Sequence, residues 1–142
     1  MTKAETSEKI ERLIDANLNR LKEGIRVIED INRYIYDDKS LTSALKQLRH
    51  KLQLAYDQNR LQYRDIDNDV QKESISSELS RSNINDLIIA NFSRAQESAR
   101  VLEESFKLID HTLSELCKEV RYGLYAVEKS FFMQKEEPKK QP

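Results

Sequence analysis

Groups suited to bind an anion occur twice in this chain at the same spacing. Asn17, Arg20, Glu23, Arg26 and Glu29 recur 74 residues later as Asn91, Arg94, Glu97, Arg100 and Glu103. Guanidinium and amide groups present N–H donors that an anionic or polar ligand can accept. Between the copies, YRDIDNDV sets Arg64 beside three aspartates, Asp65, Asp67 and Asp69. Carboxylates so close repel one another unless a cation or hydrogen-bond donors share the space. Oxygen ligands at this spacing suit Mg²⁺, which commonly takes one or two carboxylates together with substrate phosphates. An acidic surface loop that holds nothing fits the same residues.

The recurrence is part of a duplication. Ile14 to Ile35, IDANLNRLKEGIRVIEDINRYI, returns as IIANFSRAQESARVLEESFKLI, Ile88 to Ile109, with nine of 22 positions identical. Chance would give about one identity, so the repeat is read before any single residue. The shared positions are mostly polar, while the apolar ones drift among Leu, Ile, Phe and Ala. A duplication kept only for packing would do the reverse.

On a helical wheel Asn17 falls inside the apolar stripe near Leu13, Leu21 and Ile28, and Asn91 falls among Leu87, Ala95 and Leu102. An amide buried without partners costs roughly 1–3 kcal/mol. It therefore either fixes helix register or meets a ligand at the seam between the halves. Arg20 and Arg94 sit at the border of the stripe, where the stem is covered and the guanidinium can enter a cleft. Glu23, Arg26, Glu29 and their copies alternate acid and base in steps of three, which gives pairs worth about 0.2–0.5 kcal/mol. Arg26, Glu29 and their copies point away from the stripe and read as a solvated face.

The elements that must carry these groups are helices. Charged residues make up 35% of 142, with two glycines and two prolines, which favours helices and leaves hairpins few turn residues. Apolar residues from Ile10 to Ile35 step by three and four, predicting a first helix from an N-cap at Thr6-Ser7 to about Tyr36. At that length it is about 45 Å long and overhangs a compact globule, so a partner chain is expected over the overhang. Asp37 to Ser40 reads as a capped turn into a helix burying Leu41, Leu45, Leu48, Leu52 and Ala55, with Lys46, Arg49, Lys51 and Arg60 opposite. Tyr63 to Val70 reads as an ordered loop and Gln71 to Ser80 as weakly helical. Arg81-Ser82-Asn83 caps the second copy, which runs to about Ile109. Thr112 and Glu115 have capping-box spacing before a last helix carrying Leu113, Cys117, Val120, Leu124, Val127 and Phe131. The partner helices also align, Leu41 with Leu113 and Arg49 with Arg121. The expected fold is all-α: an elongated bundle of two duplicated hairpins with pseudo-two-fold symmetry. Residues 1–134 form one domain, with halves at about 8–60 and 82–132 joined by an acidic loop over 61–81, and 135–142 form a disordered tail.

Several chemistries are excluded. With only Gly24 and Gly123 the chain holds neither a G-x-x-x-x-G-K phosphate loop nor a G-x-G-x-x-G turn. Gln47 and Leu108 stand three residues before His50 and His111, where a di-iron bundle needs Glu. Cys117 lies on an apolar stripe and reads as core. A net charge of −1 gives no reason to expect nucleic acid, and no apolar run is long enough for a membrane. The lone cysteine and the polar first ten residues lead us to expect a cytoplasmic protein.

The blocks DANLNRLKEGIRVIED, YRDIDNDV and RSNINDLIIANFSRAQESARVLEE resemble, in order and over about Ile10 to Leu108, a small helical family. That family occurs alone and fused to the N-terminus of thiamine-phosphate synthase, whose label its members often carry. The synthase barrel needs about 200 residues or more, so that activity is not expected of a chain this short. The resemblance implies instead phosphorylation of 4-amino-5-hydroxymethyl-2-methylpyrimidine phosphate to its diphosphate, with ATP as donor and Mg²⁺. It gives Arg20 and Arg94 the phosphates, acting with Asp65, and gives Asp65 and Asp69 the metal. Asn17 or Asn91, with Glu23 or Glu97, would read the aminopyrimidine edge, and Arg64, Arg26 and Arg100 would complete a site for small-molecule substrates in a homo-oligomer, a dimer being favoured. The rival reading is a non-catalytic helical module that dimerises or docks onto a thiamine enzyme and spends these charges on salt bridges.

Overall fold

A computed structural model of the chain describes residues 1–72 and 83–135, and among them the regular elements are all helical. The protein is all-α. Helix α1 runs Lys3–Tyr34, 32 residues, or about 48 Å. It starts earlier than Thr6-Ser7 because the Thr2 side chain caps it, accepting from the Glu5 N–H at 3.1 Å, while the Thr6 hydroxyl donates back to the Thr2 carbonyl at 2.9 Å. Asp37 turns the chain with φ of 51°, a left-handed conformation that Asp tolerates. Asp38 then caps α2, Lys39–Lys51, by accepting from the Leu41 N–H at 2.9 Å.

Beyond α2 the chain tightens into 3-10 turns at Leu52–Ala55 and Gln58–Tyr63. Asn83 caps α3, Ile84–Phe106, which stops three residues short of the expected Ile109. Helix α4 is His111–Lys135. Its cap is Asp110, which accepts from the Leu113 N–H at 3.2 Å, in place of the expected box at Thr112 and Glu115. Lys135 closes α4 rather than opening a tail, and its ammonium lies over the Tyr36 ring at 4.5 Å. The expectations for 73–80, for Arg81 and Ser82 and for 136–142 lie outside the described residues.

The four helices close a ring in which α1 packs on α2 and α3, and α4 packs on α3 and α2. Ile14, Leu18, Leu21, Ile25 and Ile28 of α1 meet Ile88, Phe92, Ala95, Ala99 and Leu102 of α3, with Leu45 and Leu124 between the outer helices. Phe92, Phe106 and Phe131 are fully buried, each worth about 1.5–3 kcal/mol. The predicted stripe fails at its ends, where Leu13, Ile35 and Ile109 are exposed because no helix faces them. At the α1–α3 crossing, a Cβ on Gly24 would stand 3.3 Å from both the Ala95 Cβ and the Asn91 carbonyl oxygen, so glycine permits the approach. The start of α1 is flanked by the chain's own second 3-10 turn, where Arg60 donates to Glu11 at 2.6 Å. Arg60 is thus buried rather than solvated, and its guanidinium lies 5.4 Å from the Phe106 ring centroid.

The expectation of a solvated face at Glu29 and Glu103 is overturned: they are 3% and 5% exposed. Each faces the other helix of its hairpin, a surface that the wheel of one helix alone leaves open. Arg49 grips Glu29 with two bonds, of 2.8 and 3.1 Å. Arg121 donates to Glu103 through Nε at 3.1 Å and Nη2 at 2.9 Å. The arginines that recur in the partner helices therefore brace each hairpin. Burial pushes the Cys117 thiol up to about 12, so it stays protonated in the core. Among the described residues no helix is long and apolar enough to cross a membrane.

Arg49→Met should cost roughly 3 kcal/mol in urea unfolding, because it strands a buried carboxylate, and Arg49→Met with Glu29→Leu should recover most of that loss. Gly24→Val should cost about 1–3 kcal/mol by forcing α1 and α3 apart, measured in the same way.

Candidate functional site

Two clefts meet on α1. The first, of about 390 Å³, lies between the α1 face from Lys9 to Arg20 and the segment from Arg64 to Asp69. Side chains of α1 hold that segment. Arg64 donates through Nε and Nη2 to the two oxygens of Asp15, at 2.8 and 2.9 Å, and Arg12 donates to the Asp65 carbonyl at 3.2 Å. The segment then folds on itself: both oxygens of Asp65 accept from Asn68, and Asp69 accepts from the Gln71 N–H at 2.9 Å. The bond to Asp15 raises the Arg64 pKa, and the Asn68 amide lowers that of Asp65 below the usual carboxylate range.

The second cleft, of about 720 Å³, follows the α1–α3 seam and is lined by Asn17, Arg20, Ser93, Arg94, Glu97 and Ser98 among others. Asn17 and Arg20 line both clefts. Asn17 is 3% exposed, and its amide N–H donates to the Leu13 carbonyl at 3.0 Å, while Asn91 does the same to Leu87 at 2.8 Å. The buried amide is thus satisfied by its own helix, and its oxygen is left to accept from a ligand. Among the described residues neither Arg20 nor Arg94 makes a hydrogen bond or ion pair, although each lines a cleft beside acidic groups. Two cations kept off their neighbours' carboxylates at one concave surface can neutralise an anion there.

Of the residues singled out from the sequence, Asn17, Arg20, Arg64, Asp65 and Asp69 come together at the first cleft, and Arg94 and Glu97 join Asn17 and Arg20 at the second. The others lie elsewhere. Arg26 and Arg100 reach the buried glutamates, at 3.7 and 3.0 Å, with half their side chains in solvent. Asn91 packs behind Gly24, and Glu23 is exposed outside both clefts, though its charge reaches Arg64. Lys9, Arg12 and Asp15 belong to the first cleft and were not anticipated. Their step of three marked one helical face, but nothing local pointed to a loop 49 residues on.

Among the described residues no group of three or more His, Cys, Asp or Glu is gathered to hold a metal ion. Two carboxylates on one cleft do match a magnesium ion that draws its remaining ligands from phosphate and water. Asp65 and Asp69 would be its protein ligands, since an oxygen that accepts one hydrogen bond keeps a second lone pair.

The sequence profile of the ThiD2 family matches residues 12–130, a span that includes every residue lining the two clefts except Lys9. The chain belongs to the ThiD2 family. Relatives of this ThiD2-family chain include the protein named thiamine-phosphate synthase of Rhodopirellula baltica, 40% identical over 131 residues, covering 89% of this chain and 35% of that protein. Proteins of the same name from Synechocystis and Thermosynechococcus vestitus are each 38% identical, over 84% and 89% of this chain and 35% and 36% of theirs. The chain spans about a third of the length of the curated relatives it matches. No solved structure matches it.

Asp15→Ala should release the Arg64 segment while leaving the core intact: amide exchange at residues 62–71 should quicken with little change in the urea midpoint. The Asp65 cap acts in the opposite sense to a base. Its contribution to loop order is full above the carboxyl pKa of the unfolded chain and is lost as pH falls through the depressed value in the folded chain. Protection at Asn68 should therefore survive to lower pH than an ordinary carboxylate would allow.

Proposed function

We propose that this chain acts in thiamine biosynthesis, transferring the γ-phosphoryl group of ATP to 4-amino-5-hydroxymethyl-2-methylpyrimidine phosphate. The observation that carries this reading is that Arg20 lies on both clefts, with Arg94 on the second and Asp65 and Asp69 on the first. Two anions brought to adjoining clefts would meet at that guanidinium. Membership of the family and the name of its relatives support the pathway.

The chemistry asks little beyond position and charge. An oxygen of the pyrimidine phosphate, already anionic near neutral pH, attacks the γ-phosphorus. The bond from that phosphorus to the bridging oxygen breaks, and ADP leaves with the electron pair. Such transfers depend on alignment and on neutralising charge at the equatorial oxygens, which Arg20 and Arg94 can supply. Asp65 and Asp69 would hold Mg²⁺, which when bound neutralises phosphate charge. Asn17 would accept from the 4-amino group of the pyrimidine in the first cleft, where Leu13 and Ile66 give an apolar wall. Matching features in the two halves support a pseudo-two-fold duplication: Asp38 and Asp110 as caps, and Glu29–Arg49 and Glu103–Arg121 as braces.

A second reading, a docking module for a thiamine enzyme, draws on the fact that the matched region is only a third of each relative. It predicts that neither MgATP nor the pyrimidine phosphate stabilises the chain, whereas a kinase gains about 2.7 kcal/mol at a ligand concentration a hundredfold above Kd.

ADP release measured with both substrates should fall about a hundredfold or more in Arg20→Ala and in Arg94→Ala. Unchanged turnover in both variants would remove the assignment.

A further inference from the structure

A third depression, of about 350 Å³, continues the seam cleft on its α4 side: it shares Ser93 and Glu97 with that cleft and is completed by Gln96, Arg100 and Tyr125. Its one aromatic wall is held in place. The Tyr125 ring packs edge-on against Tyr122 at 5.9 Å and has the Arg121 guanidinium 5.8 Å from its centroid, yet Tyr125 keeps 40% of its surface in solvent. Arg121 is itself fixed by its two bonds to Glu103. A ring braced in this way while its remaining surface stays open is a stacking platform whose ordering cost was met in folding.

The corresponding place in the first half is closed. By the offsets of the duplication, Gln96 corresponds to Lys22 and Tyr125 to Gln53. There the cavity is only about 60 Å³, because Tyr56 covers it with Lys22 set 5.2 Å over its ring. The two copies thus differ in this feature: one is filled by its own aromatic side chain, and the other leaves an aromatic ring bare.

We infer that the depression at Tyr125 is the base subsite for the phosphoryl donor, a purine nucleoside triphosphate lying along α3 with its base on Tyr125 and its phosphates at Arg94 and Arg20. This rests on the kinase reading for the direction of the phosphates and assigns the donor to the second copy. Gln96 donates to Glu128 at 3.0 Å, which fixes its amide and leaves its oxygen to accept from the edge of the base. Glu97, common to the two clefts, falls where ribose hydroxyls would donate to it. The path from Arg100 to Ser93 is two helical turns, about 10 Å, a span suited to a nucleoside with its phosphates extended beyond.

The test is titration of the full chain with ADP and with MgATP by calorimetry, alongside kinetics with both substrates. Tyr125→Ala should weaken ADP binding about tenfold or more and raise the KM for ATP in step, leaving the KM for the pyrimidine phosphate within twofold. Tyr125→Phe, which keeps the ring, should bind as the unchanged chain does, and this separates stacking from any loss of packing at Arg121. If the chain transfers phosphoryl and Tyr125→Ala binds ADP unaltered, the base lies elsewhere and the inference fails while the kinase reading stands. If ADP binds and Tyr125→Ala loses it in a chain without transfer, the subsite stands and the kinase reading fails. If the unchanged chain binds neither nucleotide, the subsite is overturned.

Discussion

The close crossing of α1 and α3 is the constraint from which the site follows. Gly24 and Ala95 allow backbones to approach where any larger pair would hold them apart, and Ala99 and Ser98 continue the small-residue seam. At that separation Arg20 of one copy and Arg94 of the other line one groove rather than two. A wider seam would leave two guanidiniums on two surfaces, each solvated and neither able to share an anion.

Within each hairpin a second device fixes how the outer helix meets the inner one. Glu29 and Glu103 are buried, and the arginines that satisfy them come from α2 and α4. Buried pairs of this kind contribute little net stability, because desolvation offsets most of their attraction, but they penalise any other register heavily. The placement also sorts the repeated charges by role. Glu29, Glu103, Arg26 and Arg100 are engaged in this bracing, and Arg20 and Arg94, one turn away, are not.

The duplication then departs from itself where chemistry would need it to. In the first half the chain beyond α2 turns back over α1, tied by Asp15 to Arg64 and by Glu11 to Arg60, and this makes the first cleft. Tyr56 from the same stretch fills the depression that stays open beside Tyr125 in the second half. A reaction between two unlike substrates is served by this asymmetry, since identical copies would offer each substrate two equivalent places.

Much of this was legible in the residue order, because helical periodicity and repetition are local properties. The four helices, the turn at Asp37-Asp38, the cap at Asn83 and the pairing of Arg20 with Arg94 as counterparts all follow from spacing alone. Helix ends were less legible: Thr2 and Asp110 outcompeted nearby hydroxyls because a cap depends on local backbone geometry that composition does not report. What only the tertiary structure decided was which polar residues face another element. A single helix's wheel placed Glu29 in solvent and Asn17 in the core as an unpaired amide, whereas hairpin closure buried the glutamate and the helix's own carbonyl satisfied the amide. Likewise no spacing along the chain could bring Asp15 to Arg64, because contacts between distant segments are set by how helices cross, and that crossing is fixed by packing across the whole core.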